Sequence, residues 1–328
     1  MGLFIVADDA VVDRYHQHIG SLACYAYRHA YQFILMHPKE YPSCRKTSRS
    51  IYFQKHCLVL MYLLDHTEIQ WLVVLDVDVL VLNISKKFDS YLPNVTSESS
   101  MHLILHEKFN GEIAAGNYIV HNHRWSHDFL SGWLQFERQT SRIKFHNHDN
   151  GPLHLYLLGR RVGNVTRSAY NHCLRMYEQT TELTSYHAYV GCCKCALDGR
   201  WEFEHVRVLR RGHSFVRDNL GYDMNQRIWS PTDFLIHGHR ENLDAYYSKQ
   251  IDMNECVKSN WILPIREEAI VTNFDEAQEI VRKFDHEAAR AYPQSVGLPE
   301  IGDCWPHCRN TELRRQAFLA RVCNQTFP

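Results

Sequence analysis

The sequence has no excess of charge, no membrane-spanning apolar run and no repeat or low-complexity tract, and each absence removes a class of function. Its 36 Lys and Arg residues stand against 37 Asp and Glu, a formal net charge of −1. A nucleic-acid binder carries a clear positive excess, so no nucleic-acid partner is expected. No run of like charge marks a polybasic membrane-surface segment. The longest apolar stretch, residues 71–82, is interrupted by Asp76 and Asp78 and falls short of the ~20 residues that a span needs. No secretory leader is read either, because the chain starts directly in the strand-like run Leu3-Phe4-Ile5-Val6.

What is present points elsewhere. Hydrophobic residues make up 45% of the 328 positions, enough for a sizeable core, and aromatics reach 12%. The 22 histidines would make the protein cationic in mild acid, since imidazole titrates near ~6.5. Eleven cysteines are many for a cytosolic enzyme of this size, and Asn-x-Ser/Thr sequons stand at Asn83, Asn94, Asn164 and Asn324. Together they favour an oxidising, glycosylating compartment, the ER or Golgi lumen of the secretory pathway. That expectation carries another: an N-terminal anchor or signal missing from this sequence. An odd cysteine count leaves at least one thiol unpaired or bonded to another chain. Zinc is the alternative for Cys304-x3-Cys308 and for Cys192, Cys193 and Cys195. Their spacing does not match paired CxxC patterns, so disulfides are the expected use.

The first part of the chain alternates strand-like and helix-like segments: a strand over 2–7, a helix over 12–30, a strand over 31–36, a helix over 50–65 and a strand over 71–75. This order predicts an α/β fold, a mostly parallel sheet with helices on both faces. Further strands are expected over 101–105 and 117–121, and helices over 124–138 and 151–158. The catalytic domain is expected to span 1–245. A C-terminal extension, 246–328, is expected to be helical and pinned by disulfides.

The chemistry is carried by Asp76-Val77-Asp78 at the end of the apolar run Trp71-Leu72-Val73-Val74-Leu75. Period-two geometry points both carboxylates to one side. Two like charges side by side are costly unless a cation joins them. Mn2+ or Mg2+ suits oxygen ligands and retains positions for a diphosphate, whose leaving charge it stabilises. In open parallel sheets, ligands bind at the carboxyl ends of strands, where Asp8-Asp9 and Asp76-x-Asp78 both lie. Asp8 and Asp9 fit either a nucleotide contact or an N-cap of the following helix.

This region resembles the metal-binding motif of glycosyltransferases with the GT-A fold, which is Rossmann-related. The segment Ala115-Gly116-Asn117-Tyr118-Ile119-Val120-His121-Asn122, followed by Trp125-Ser126-His127-Asp128-Phe129-Leu130 and Trp133, resembles one in a particular family. That family holds the fungal galactosyl- and mannosyltransferases and the plant xyloglucan xylosyltransferases. Asp149-Asn150-Gly151, Phe234-Leu235-Ile236-His237-Gly238 and Lys55 are similar to other parts of it. A nematode-expanded family of uncharacterised function in the same superfamily is resembled through residues 109–116, 146–152, 206–217 and 229–231. Together these resemblances cover roughly residues 1–245.

The resemblance implies a nucleotide-sugar-dependent hexosyltransferase that retains anomeric configuration. It implies a UDP- or GDP-sugar donor and a glycan, glycoprotein or glycolipid acceptor. Asp76, Asp78 and His237 would hold the metal. Asp8, Asp9, Lys55, Asp76, Gly116 and Asn117 would bind the donor, with Gly116 letting it approach the backbone. Asp149 and Asn150 would take the catalytic positions facing the donor sugar, Asn150 standing where the family has glutamine. Two other readings compete. One is an inactive binder that keeps the fold. The other is a zinc hydrolase built from His121-x-His123, His146-x-His148-Asp149 and His237-x-His239, although no HExxH-like helix supports it.

Overall fold

A computed structural model describes residues 1–48, 50–93, 100–143, 145–146, 148–160, 165–200, 202–203, 205–218, 228–229, 232–238, 246–258, 260–308 and 311–324. The chain begins β1 (Gly2–Val6), α1 (Asp9–Arg14), α2 (His16–Arg28), β2 (Gln32–Met36), α3 (Pro42–Thr47), α4 (Ile51–Asp65) and β3 (Trp71–Leu75). It continues through β4 (Val79–Val81), β5 (Leu103–Glu107), β6 (Ile113–His121), α5 (Arg124–Thr140), α6 (Asn150–Gly159), α7 (Arg167–Glu178), α8 (Leu183–Ala196) and β7 (Val206–Leu209). The last part holds β8 (Val216–Asp218), β9 (Ile228–Trp229), β10 (Leu235–His237), α9 (Met253–Cys256), β11 (Ile270–Val271), α10 (Phe274–Ala291) and α11 (Thr311–Phe318).

The central sheet has the order β2-β1-β3-β6-β5-β7. β1 pairs in parallel with β2 and β3, and β5 with β7; β6 alone runs antiparallel to its neighbours β3 and β5. The fold is thus α/β, with a mostly parallel sheet. Alternation along the strands divides the core in two. Phe4, Leu72 and Val74 face one cluster with Phe53 and Leu58 of α4 and Trp133 of α5. Leu3, Ile5, Val73 and Leu75 face the other, with Leu22 and Tyr25 of α2. A second sheet, β4-β10-β8, lies on that face, and a third pairs β11 with β9.

The elements differ from expectation in instructive places. The helix expected over 12–30 is two helices that meet at Tyr15, which has φ −109° and ψ 21°. The strands expected over 101–105 and 117–121 are β5 and β6, joined as a hairpin through Gly111 at φ +81°. A side chain there would be strained, and its Cβ would lie 2.6 Å from the Ser295 carbonyl. The strands β4, β8 and β10 have three residues each, too few to show a period in sequence.

The expected extension is helical in α9, α10 and α11 but also contributes β11 to the strand pair with β9. It is tied to the rest by Cys24–Cys256 and Cys195–Cys323, and by a buried ion pair of Arg211 with Asp285 at 2.9 Å. The boundary expected at 245, His239 and the sequons at Asn94 and Asn164 lie outside the described residues. Cys44–Cys57, Cys173–Cys192 and Cys304–Cys308 complete five disulfides, with Cys193 the buried free thiol. With these sulfurs bonded to one another, the zinc alternative for the cysteines is excluded. Five disulfides accord with folding in an oxidising compartment. Among the described residues, no helix is long and apolar enough to cross a membrane.

Candidate active site

The site forms where β3 ends. Asp76 and Asp78 sit in the turn into β4, closed by the Val79 amide donating to the Asp76 carbonyl at 3.3 Å. β4 pairs antiparallel with β10 so that Val79 faces His237. This brings the last residue of β10 over the turn. His237 Nε2 lies 3.3 Å from Asp76 Oδ2 and 3.2 Å from Asp78 Oδ1. One ligand atom from each of the three residues falls within 4.8 Å of the others, the only such group among the described residues. Two carboxylates and an imidazole form a donor set that suits Mn2+ and can hold Mg2+.

The other side of Asp76 is held by the first sheet. Lys55, buried one helical turn into α4, places Nζ 2.7 Å from Asp76 Oδ1 and 4.0 Å from Asp149 Oδ2, and donates to the Gly116 carbonyl. The Asp76 amide donates to Asn117 Oδ1 at 2.9 Å. A Cβ on Gly116 would fall 1.8 Å from Asp76 Oδ2, so this position must lack one for the carboxylate to sit where it does. Asp149 accepts from His56 at 3.2 Å, and the His56 ring stacks on Trp133 at 3.8 Å. Asn150 Oδ1 accepts from the Ala115 amide at 2.7 Å, tying α6 to β6.

Electrostatics follow from this mixture. Burial alone would drive Lys55 and His237 neutral. The carboxylates of Asp76 and Asp149 outweigh it at Lys55 and raise its pKa, and Asp218, Asp76 and Asp78 raise that of His237 well above the ordinary range. Burial likewise favours the neutral acids, yet Lys55 and His237 hold Asp76 below its usual value, and His237 does so for Asp78. A proton on His237 thus balances the paired carboxylates; a divalent cation at Nε2 would displace that proton and fill the same electrostatic role.

These residues line a cleft of about 540 Å³, within the range of small-molecule sites. Lys55, Asp76, Asp78, Gly116, Asn117, Asp149, Asn150 and His237 all belong to it. Asp8 and Asp9 are not among its lining residues. Asp8 is the N-cap of α1, accepting from the Val11 amide at 2.9 Å, and the Asp9 side chain is 89% exposed. Among the described residues the histidine pairs do not assemble into one metal site. His121 and His123 lie at the opposite end of β6, His146 and His148 line the cleft, and His237 sits with the aspartates.

Sequence reasoning missed Asp218, the last residue of β8. In register it lies opposite His237, whose Nδ1 is 2.5 Å from its Oδ1. It also missed Lys108 and Glu112, an ion pair at 3.1 Å that lines the cleft, with Glu112 accepting a hydrogen bond from Tyr186. For Asp218 the available signal was position: it directly follows the 206–217 block.

Comparisons with known proteins place the chain in a family. Residues 22–253 match the family described as "Protein of unknown function, DUF273", and the chain belongs to it. No curated protein matches it in sequence. One similar solved structure is the "crystal structure of a glycosyltransferase involved in the glycosylation of the major capsid of PBCV-1", at 11% identity and a TM-score of 0.44. The match covers 73% of this chain and 96% of that one.

Proposed function

We propose that this chain is a metal-dependent glycosyltransferase that moves a hexose or pentose from a UDP- or GDP-sugar to a glycan, glycoprotein or glycolipid, with retention. The observation that carries the reading is the convergence of Asp76 and Asp78, in the turn between β3 and β4, with His237, the last residue of β10, over a cleft beside Lys55. Mn2+, or Mg2+ in its place, would be held by these three residues and would stabilise charge on the departing diphosphate.

The remaining roles belong to side chains. Lys55 holds Asp76 in place and keeps positive charge beside the diphosphate. Gly116 and Asn117 shape the donor floor, Gly116 by absence and Asn117 by fixing the Asp76 backbone. Asp149 faces the sugar from the start of α6. Asn150 uses Oδ1 on the Ala115 amide, so its Nδ2 is the atom offered to a sugar hydroxyl. In the transfer the anomeric C–O bond to diphosphate breaks and a C–O bond to an acceptor hydroxyl forms on the same face. The hydroxyl proton leaves on the diphosphate. The compartment proposed is the lumen of the secretory pathway, supported by the disulfides.

The test is nucleotide release from UDP- and GDP-sugars by the purified chain, with and without Mn2+, beside Asp78→Ala. Mn2+-dependent release by wild type that disappears in the variant is the expected result. Neither release nor nucleotide binding by wild type would end the transferase reading.

A further inference from the structure

The cleft has a mouth that none of the assignments above uses. Ile51 and Tyr52, 52% and 44% exposed, stand side by side at the start of α4 and line it. Tyr52 precedes Lys55 by three residues, so the two share a helix face, with Tyr52 one turn nearer solvent. Three residues rise about 4.5 Å along the helix, the scale of a single sugar ring. A sugar resting on Tyr52 would therefore lie in the same cleft as the Lys55–Asp76 pair and nearer its mouth.

The opposite lip repeats the pattern. Asp149 is buried against Lys55 and His56, and its chain neighbour His148 is exposed at the mouth. The Tyr52 and His148 rings meet at 4.5 Å, joining the lips into one aromatic ledge. His146, also exposed, is held at φ +45°, a conformation costly for a residue with a side chain. Its carbonyl accepts from Tyr177 at 2.9 Å, its ring stacks on Tyr186 at 4.6 Å, and a Cβ on Gly151 would lie 2.3 Å from its carbonyl oxygen. The ledge is thus built on locked backbone, with polar ring nitrogens beside apolar ring faces. Such a surface suits a pyranose, which offers C–H faces to an aromatic ring and hydroxyls to its polar edge.

We infer that Tyr52, His148 and His146 form the acceptor subsite and that the acceptor presents a sugar ring there, not a protein hydroxyl. This rests on the transferase reading and sharpens it to glycan extension. In the step, a hydroxyl of the ring on Tyr52 forms the new glycosidic bond as the donor's bond to diphosphate breaks, its proton leaving on the diphosphate.

The test compares wild type, Tyr52→Ala and Tyr52→Phe. Nucleotide release is followed without acceptor, with water taking the sugar, and with methyl α- and β-glycosides of glucose, galactose, mannose and xylose. Stimulation of wild type by a glycoside is expected, with its KM rising about tenfold in Tyr52→Ala and recovering in Tyr52→Phe. Acceptor-free release and Mn2+-dependent nucleotide binding should be equal in all three. An unchanged glycoside KM in Tyr52→Ala overturns the subsite. So does a wild type stimulated by Ser/Thr peptides but by no glycoside, or by neither. A wild type that neither binds nor cleaves any nucleotide sugar fails at the transferase reading, before Tyr52 is in question.

Discussion

Histidines gather at both ends of the central sheet, and the two gatherings are in opposite states. At the carboxyl end of β3, His237 stands among Asp76, Asp78 and Asp218, which raise its pKa. At the other end, where β3 starts, His102, His121, His123 and His205 gather with Trp71 and Trp125. His102 stacks on His123 at 4.0 Å and on His205 at 5.2 Å, and Trp71 on His121 at 4.5 Å. Here burial first, and then His123, His121 and His205, push the pKa of His102 down to about 4. Carboxylates raise the pKa of one histidine, while burial first and then neighbouring histidines lower that of the other. What makes a histidine cluster fit for charge chemistry is the opposite charge around it, and only the Asp76 end has that.

The largest effect should separate the two ends directly. On the proposed function, Asp78→Ala removes one of the three residues that would hold the metal and should lower Mn2+-dependent nucleotide release by a factor on the order of 10²–10³. It should lower the melting temperature only modestly, because the lost ion pair with His237 is partly offset by relief of the repulsion from Asp76. His121→Ala, at the far end, should leave release within about twofold, the range of a surface change with no part in the site. Equal losses in the two variants would erase the contrast.

A smaller effect is expected one layer behind the ligands. Asp218 holds His237 Nδ1 at 2.5 Å, which turns Nε2 toward Asp76 and Asp78. Carboxylates behind a ligating histidine fix its tautomer and raise its basicity, and their loss costs about 10–100-fold in metal affinity. Asp218→Asn keeps the shape but not the charge. It should weaken Mn2+ binding by that factor in an electron paramagnetic resonance titration, with circular dichroism unaltered. Wild-type affinity would show that the strand pairing alone orients His237.

Asp218 also marks where sequence stops being informative. The apolar run 71–75 ending in two carboxylates announced a strand and called for positive charge beside the pair, which Lys55 and His237 supply. The alternation of strands and helices through β3 was legible for the same reason: each element is long enough to show its period. Asp218 belongs to a three-residue strand, and its meaning comes from lying in register with His237, nineteen residues later. The Lys108–Glu112 pair sits in a hairpin whose turn depends on contact with Ser295, far along the chain. Asp8 satisfied two readings in sequence, and its bond to the Val11 amide puts it in the helix cap. Disulfide pairing was hidden throughout, since Cys24 and Cys256 are 232 residues apart and meet only because α9 packs on α2.

The smallest effect concerns the far end and is read in stability. His102 has a pKa of about 4 when folded and near ~6.5 when unfolded, so between these values the unfolded chain binds the proton more readily. Stability from the neutral ring is therefore full above the unfolded value and is lost as pH falls toward 4. Between pH 7 and 5 the contribution amounts to about 1–2 kcal/mol. The groups facing the ring are His121, His123, His205 and Trp125, none of them a carboxylate. His102→Gln takes the central imidazole out of the stack. Urea unfolding at pH 7 and pH 5 should then show a smaller difference between the two conditions by that amount. A slope as steep as in the wild type would mean that the stack tolerates charge. The far end would then differ from the Asp76 end only in lacking carboxylates, not in excluding protons.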